Sequence, residues 1–164
     1  MQINPTEFLV PGEFVFQMAT GQELHRKVSQ IDDQRFEVIS SMGDSEAGET
    51  KEVYLVAPDG IYCHGAQIPR SENGDDVRSS SPVLELPAAA EHGQTVAKSD
   101  RLEDGQLSLL DVTKWEERPC YVVRTATDAI TFDRWWVAGL GIVRERFEWP
   151  QEAIVNEWEL VRRK

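Results

Sequence analysis

The stretch 129–147, AITFDRWWVAGLGIVRERF, limits what this chain can fold into more than any other part of it. Ile130, Phe132, Arg134 and Trp136 share one parity, and Thr131, Asp133, Trp135 and Val137 share the other. That period of two is what a pleated strand requires. Gly139 and Gly141 follow and give the backbone freedom to reverse, positive φ included. On the way back, Ile142, Arg144 and Arg146 alternate with Val143, Glu145 and Phe147. The spacing predicts a β-hairpin with one aromatic-rich face on its first strand.

The same period recurs along the chain. Residues 1–12 read as an extended lead-in ending at the turn pair Pro11-Gly12. Residues 13–19, 24–31 and 35–42 read as strands separated by the polar triplets Thr20-Gly21-Gln22 and Asp32-Asp33-Gln34, an antiparallel meander. Residues 53–57 and 61–63 flank Pro58-Asp59-Gly60, a hairpin-closing turn. Residues 43–51 read as a polar loop, and 70–81 as a mobile polar excursion in which Val77 alone is apolar. Residues 81–87 are extended and bounded by prolines, which suits a sheet edge. Residues 88–91 are the one candidate helical turn before the C-terminal end, followed by strands at 94–101, 106–113 and 119–127. Residues 153–161 fit either a strand, with Ile154, Asn156, Trp158 and Leu160 on one face, or a helical stripe through Ile154, Trp158 and Val161. The strand is preferred, because Val155 and Val161 on the other parity suit a sheet covered on both sides at its ends. These elements predict one all-β domain over residues 1–164: a curved antiparallel sheet or flattened half-barrel of about ten strands, with little helix.

Composition narrows the function classes. Acidic residues number 29 against 17 basic, a net charge of −12, which opposes contact with nucleic-acid phosphates and anionic lipid. The basic residues form no stripe; Arg162-Arg163-Lys164 is the nearest approach to one. Nucleic acid is therefore not an expected partner. No run approaches the roughly 20 apolar residues of a membrane-spanning helix. The opening MQINPTEFLVPGEF lacks the basic and apolar regions of a signal peptide, which leaves a cytoplasmic protein or one whose signal lies before Met1. Cys63 and Cys120 are the only cysteines. An oxidising compartment would let them pair, but each lies in an apolar strand-like run, where a free thiol behaves as a small hydrophobe.

The hairpin carries a resemblance. Trp135-Trp136-Val137-Ala138-Gly139-Leu140-Gly141-Ile142-Val143-Arg144 is similar to the W-Y-A-P-G-V-G-L-V-K signature of the DUF3108-like, or TapB-like, group of mostly uncharacterised bacterial domains. Residues 53–62, VYLVAPDGIY, resemble that group's strand–D-G-[IL]-Y–strand element. Residues 81–87, followed by Gly93-Gln94-Thr95, stand where the group has its P-L-L-x-x-P … G-x-x-W segment. Ala138 replaces the usual proline, the downstream Trp is missing, and 115–120 replaces a V-P-A-G-T-F turn. The resemblance implies a curved antiparallel sheet akin to periplasmic lipoprotein carriers, commonly exported, with no catalytic residues to transfer.

The residues themselves offer little chemistry. His25, His64 and His92 are the only histidines, and no two stand at a metal-ligand spacing. Cys63 and His64 are strand neighbours that point to opposite faces. No G-x-S-x-G, Gly-rich phosphate loop or H-E-x-x-H occurs. The acidic doublets Asp32-Asp33, Asp75-Asp76 and Glu116-Glu117 all fall at turns, where Asp collects for local reasons. The expectation is a non-enzymatic domain with no metal and no cofactor. Two readings of the aromatic hairpin stand. Ile130, Phe132 and Trp136 could line a concave face that takes a hydrophobic or amphipathic ligand, with Arg134 anchoring its carboxylate or phosphate. Alternatively they fill a core, and the domain is a protein-interaction or assembly module working through strand edges and the 70–81 loop, with a cell-envelope protein as partner.

Overall fold

The alternation becomes fourteen strands in the computed structural model, which describes residues 1–43, 48–64, 67–68, 77–78, 82–99 and 105–164. They are β1 (Gly12–Gln17), β2 (Glu23–Gln30), β3 (Arg35–Met42), β4 (Thr50–Ala57), β5 (Gly60–His64), β6 (Gln67–Ile68), β7 (Val77–Arg78), β8 (Val83–Pro87), β9 (Thr95–Ser99), β10 (Gly105–Trp115), β11 (Arg118–Ala126), β12 (Thr131–Val137), β13 (Gly141–Trp149) and β14 (Ile154–Arg163). Twelve of them form one antiparallel sheet in the order β8-β5-β4-β3-β2-β1-β14-β13-β12-β11-β10-β9, while β6 and β7 pair only with each other. The sheet curls nearly into a barrel. The expected half-barrel of about ten strands is thus too open and too small. The reason is topological: β1 and β14 are neighbours, so the two halves of the meander fuse into one sheet. Its free edges, β8 and β9, lie in mid-sequence and meet at a seam.

The β12–β13 hairpin forms as its alternation requires, with Gly139 and Gly141 at φ of 78° and 81°. One feature departs from simple alternation. Trp136 faces Ile142, but Trp135 faces Arg144, so Val143 is an extra residue in a β-bulge. Ile142 therefore packs toward the main core and Val143 toward the outer face. A second bulge sits on β8, where Leu86 faces Ile61 and Leu84 faces Tyr62, leaving Glu85 unpaired in the ladder.

The β10–β11 turn is tighter than expected. Strand pairing runs through to Trp115 and Arg118, so Glu116 and Glu117 alone turn the chain, both with positive φ. The final segment is a strand, with Ile154, Asn156, Trp158 and Leu160 half-buried. Val155 and Val161 are each 47% exposed, so the outer cover expected over this strand is not there. The expected helical turn at 88–91 does not form, because Ala88–Ala90 spend their backbone groups on the N-terminal segment. Ile3 donates to Ala88, while Ala90 donates to Met1 and receives a bond from the Met1 amino group. The lead-in expected to be extended over residues 1–12 is broken by one 3-10 turn, Pro5–Glu7, and residues 1–11 form a strap. Gly139 donates to the Glu7 carbonyl, and Phe8 and Leu9 are buried in the core. The expected loop at 70–81 lies outside the described residues, apart from Val77 and Arg78 in β7. Among the described residues no helix is long and apolar enough to cross a membrane.

The inner face carries the main core: Phe14, Phe16, Phe36, Tyr54, Ile61, Cys63, Leu107, Val123 and Trp136, closed at one end by Phe8 and Leu9. Gly60 lets β5 and β8 approach. A Cβ built there would sit 2.5 Å from the Leu86 carbonyl oxygen and 2.8 Å from a Leu84 methyl. Gly60→Ala must push β8 away, and is expected to lower stability by about 1–3 kcal/mol, read as a reduced urea midpoint.

Candidate functional site

Arg134 projects from the middle of β12 into the barrel, on the parity shared with Phe132 and Trp136. An isolated guanidinium there would be costly, and the fold supplies partners from other staves. Nη1 donates to Glu85 Oε2 on β8 at 2.7 Å and to the Tyr54 hydroxyl on β4 at 3.2 Å. The Tyr54 hydroxyl in turn donates to Glu52 Oε2 at 3.2 Å. Nε lies 2.9 Å from Glu145 Oε1 on β13, a charge contact that is not aligned as a hydrogen bond. Glu145 also receives Nη2 of Arg26 on β2 at 2.7 Å, and Arg26 Nε donates to Ser40 Oγ at 3.1 Å. A chain of alternating charge, Arg26–Glu145–Arg134–Glu85, therefore crosses the interior from one wall to another. Aromatic faces complete it: Arg134 lies 4.4 Å from the Phe132 ring centre and Arg26 4.9 Å from that of Phe16.

Burial by itself would lower the Arg134 pKa. The fields of Glu85, Tyr54 and Glu145 outweigh it and hold the pKa well above the ordinary value, so the guanidinium stays charged. Tyr54 is driven well above its ordinary value by burial, against the opposing pull of Arg134, and stays a neutral hydroxyl.

The four residues singled out from the sequence divide between two places. Phe132 and Arg134 touch, and Phe132 stacks on Phe147 with ring centres 3.8 Å apart. Trp136 is fully buried in the main core, whereas Ile130 belongs to a small cluster with Trp149, Phe147 and Ile154. Beneath the strap lies a cavity of about 20 Å³, walled by Phe8, Leu9, Phe14, Arg26, Tyr54 and Ile142 among others. It has room for a water molecule and not for an acyl chain. Arg26 Nη1 is buried without a hydrogen-bond partner among the described residues.

The outer face carries a second, smaller apolar cluster. Cys120, Val137 and Val143 are buried beneath Trp115, Trp135 and Leu140, with Arg144 over the Trp135 ring at 4.7 Å. Around it runs a belt of cross-strand ion pairs: Arg124 grips Asp133 with two bonds of 2.7 Å, Arg144 meets Glu157 at 2.6 Å and Arg162 meets Glu23 at 3.0 Å. Trp135 and Trp136 thus serve opposite faces, as their parity predicts. Cys63 lies in the inner core and Cys120 in the outer cluster, and no disulfide joins them. Burial, aided by Asp111, raises the Cys120 pKa to about 11. His25 sits on the outer face against Glu23, and His64 and His92 are exposed. Among the described residues no group of His, Cys, Asp and Glu is placed to hold a metal.

Sequence reasoning singled out Arg134 and overlooked the groups that answer it. Glu85 had a signal: it is a lone carboxylate between apolar neighbours in Val-Leu-Glu-Leu-Pro. Glu145 had another, since it shares the parity of Phe147. Arg26 and Tyr54 come from strands remote in sequence and carry no comparable mark. No family model, curated protein or solved structure matches the chain.

Two outcomes follow for stability. Glu145→Ala removes the carboxylate that the buried Arg134 and the largely buried Arg26 share and is expected to cost about 3–5 kcal/mol, whereas Glu148→Ala, which breaks a half-exposed pair with Arg146, should cost less than about 1 kcal/mol; urea unfolding of each variant measures both. The buried Tyr54 and Cys120 stay protonated in the fold beyond the point at which the unfolded chain releases its protons, near the ordinary 10.0 and 9.0. The unfolded state then binds fewer protons, so these two groups leave stability unchanged below about pH 9 and lower it as pH rises toward 11. Urea midpoints on either side of about pH 9 read this directly; a midpoint that holds or rises there contradicts it.

Proposed function

We propose that the chain is a non-enzymatic protein-interaction or assembly module: a filled barrel that presents its outer face and strand edges to protein partners. The observation that carries this reading is the state of the interior. The residues that would line a ligand groove are spent on packing, Trp136 in the main core, Ile130 against Trp149 and Phe132 on Phe147, Arg134 is engaged by Glu85 and Glu145, and the cavity beneath the strap is about 20 Å³. A carrier of lipid-sized ligands needs an apolar pocket of several hundred Å³, whereas the larger recess, about 260 Å³ along β1–β3, is open and lined mainly by polar and charged groups such as Glu13, His25, Lys27, Ser41, Glu49 and Lys164. The outer face, by contrast, holds an aromatic cluster, Trp115 and Trp135 with Leu140, inside a belt of charge, a pattern of apolar centre and polar rim that suits a protein contact. The likeness of residues 131–145 to the DUF3108-like hairpin is one of turn geometry and sheet curvature, which either reading accommodates.

The ligand reading keeps one specific support, the unpartnered Arg26 Nη1 on the wall of the cavity under the strap. An amphipathic molecule with an acidic head, entering where Phe8 and Leu9 now sit and running toward Phe132 and Trp136, would answer it. Native mass spectrometry of protein purified without detergent separates the two. The interaction module should give the bare chain mass or whole multiples of it. A reproducible extra mass of lipid size, lost on denaturation, overturns that reading in favour of the ligand.

A further inference from the structure

The two edge strands, β8 and β9, are each held by a single neighbour through a short, interrupted ladder, and β8 alone of the two is also tied by a described ion pair to a strand across the interior. The backbone of β8 pairs with β5 alone, through four residue pairs, and the ladder is interrupted at Glu85. Its other edge faces β9 across the seam without joining the sheet there. A short strand with one neighbour and a broken ladder has few backbone bonds to lose, which places it at the low end of local stability. What fastens it from inside is the side chain that the bulge aims inward: Glu85 reaches Arg134 at 2.7 Å, and β12 is eight strands away around the sheet. Behind β8 stands Cys63, wholly buried, directly opposite Val83 on one side and Tyr54 on the other.

We propose that β8 is a hinged stave, latched by the Glu85–Arg134 ion pair, and that releasing this latch opens the seam between β8 and β9 while the rest of the barrel stays folded. Opening uncovers Cys63 and the inner wall at Tyr54, and leaves Arg134 short of a carboxylate. The outer cluster around Cys120, between β10, β11, β12 and β13, is untouched by the movement.

The two thiols make the test internal to the protein. Alkylation by iodoacetamide is followed at each cysteine by peptide mass spectrometry, over a urea series below the unfolding transition, with rates normalised to those of the same thiol in the unfolded chain. The expected result is a Cys63 rate at least about tenfold above that of Cys120, with a shallower dependence on urea, because the opening exposes less surface than global unfolding does. Glu85→Gln should raise the Cys63 rate by at least a further tenfold or so and leave the Cys120 rate near that of the wild type. Should Glu85→Gln not fold, Glu85→Asp keeps the charge but withdraws it by one methylene, and should show the same selectivity. The proposal is overturned if both thiols of the wild type react with the same normalised rate and urea dependence, since β8 then opens only with the whole barrel. It is equally overturned if the substitutions speed both thiols alike or neither.

Discussion

A guanidinium in the middle of a barrel must be answered from within reach of its own side chain, and Arg134 is answered by strands that are distant around the sheet. Glu85 on β8, Tyr54 on β4 and Glu145 on β13 all converge on it, and Glu145 extends the chain of charge to Arg26 on β2. Opposite walls must therefore lie within two side-chain lengths of each other. A ring of twelve strands is wide enough to leave an open lumen when nothing fills it. Here long charged side chains, with their apolar stems against Phe16 and Phe132, and large aromatics such as Trp136 and Tyr54 occupy that space. The charges fill the interior and at the same time draw its walls together.

Both carboxylates reach Arg134 by way of a β-bulge, and this explains what could be read from the sequence and what could not. Counting back from Val137 opposite Gly141 without a bulge puts Arg134 opposite Arg144 and Asp133 opposite Glu145. Both pairs are like-charged, and like charges directly opposite are destabilising. One extra residue at Val143 converts them into Arg134–Glu145 and Asp133–Arg146, and brings Arg144 onto Trp135. The charge pattern of the hairpin is satisfied only in the bulged register, so the bulge was legible in principle. A reading by strict alternation passes over it. The Glu85 bulge has no such local signature, because its partner lies 49 residues away.

The strands themselves were plain because each carries its own alternation and its own turn residues. The parity of 131–137 separates inner Phe132, Arg134 and Trp136 from outer Asp133 and Trp135, as the structure has them. Errors gather where local pattern is overruled from elsewhere. Residues 88–91 have helical potential but serve as the landing site of Met1–Ile3. Phe8 and Leu9 precede the first strand and look unattached until the barrel end that they cover is known. The half-barrel expectation failed for the same reason. No local signal says that β1 and β14 pair, and that single pairing turns two meanders into one nearly closed sheet.

Buried ion pairs are poor sources of stability, since apolar side chains of similar volume often do as well or better. Their presence here has a more specific explanation. An apolar inner face tolerates displacement of a strand by two residues, because the slipped strand still turns apolar groups inward. A charge does not tolerate it: moving β13 by two residues against β12 withdraws from both Arg134 and Arg26 the carboxylate that they share. The same holds at β8, whose short ladder and proline-flanked ends specify register weakly. The ionic chain thus fixes register at two of the places where a bulge has loosened it. One of those places is an interior hairpin held on both sides. The other is an edge held on one side only, so the same kind of bond that merely sets register in β13 becomes, in β8, the fastening of the seam.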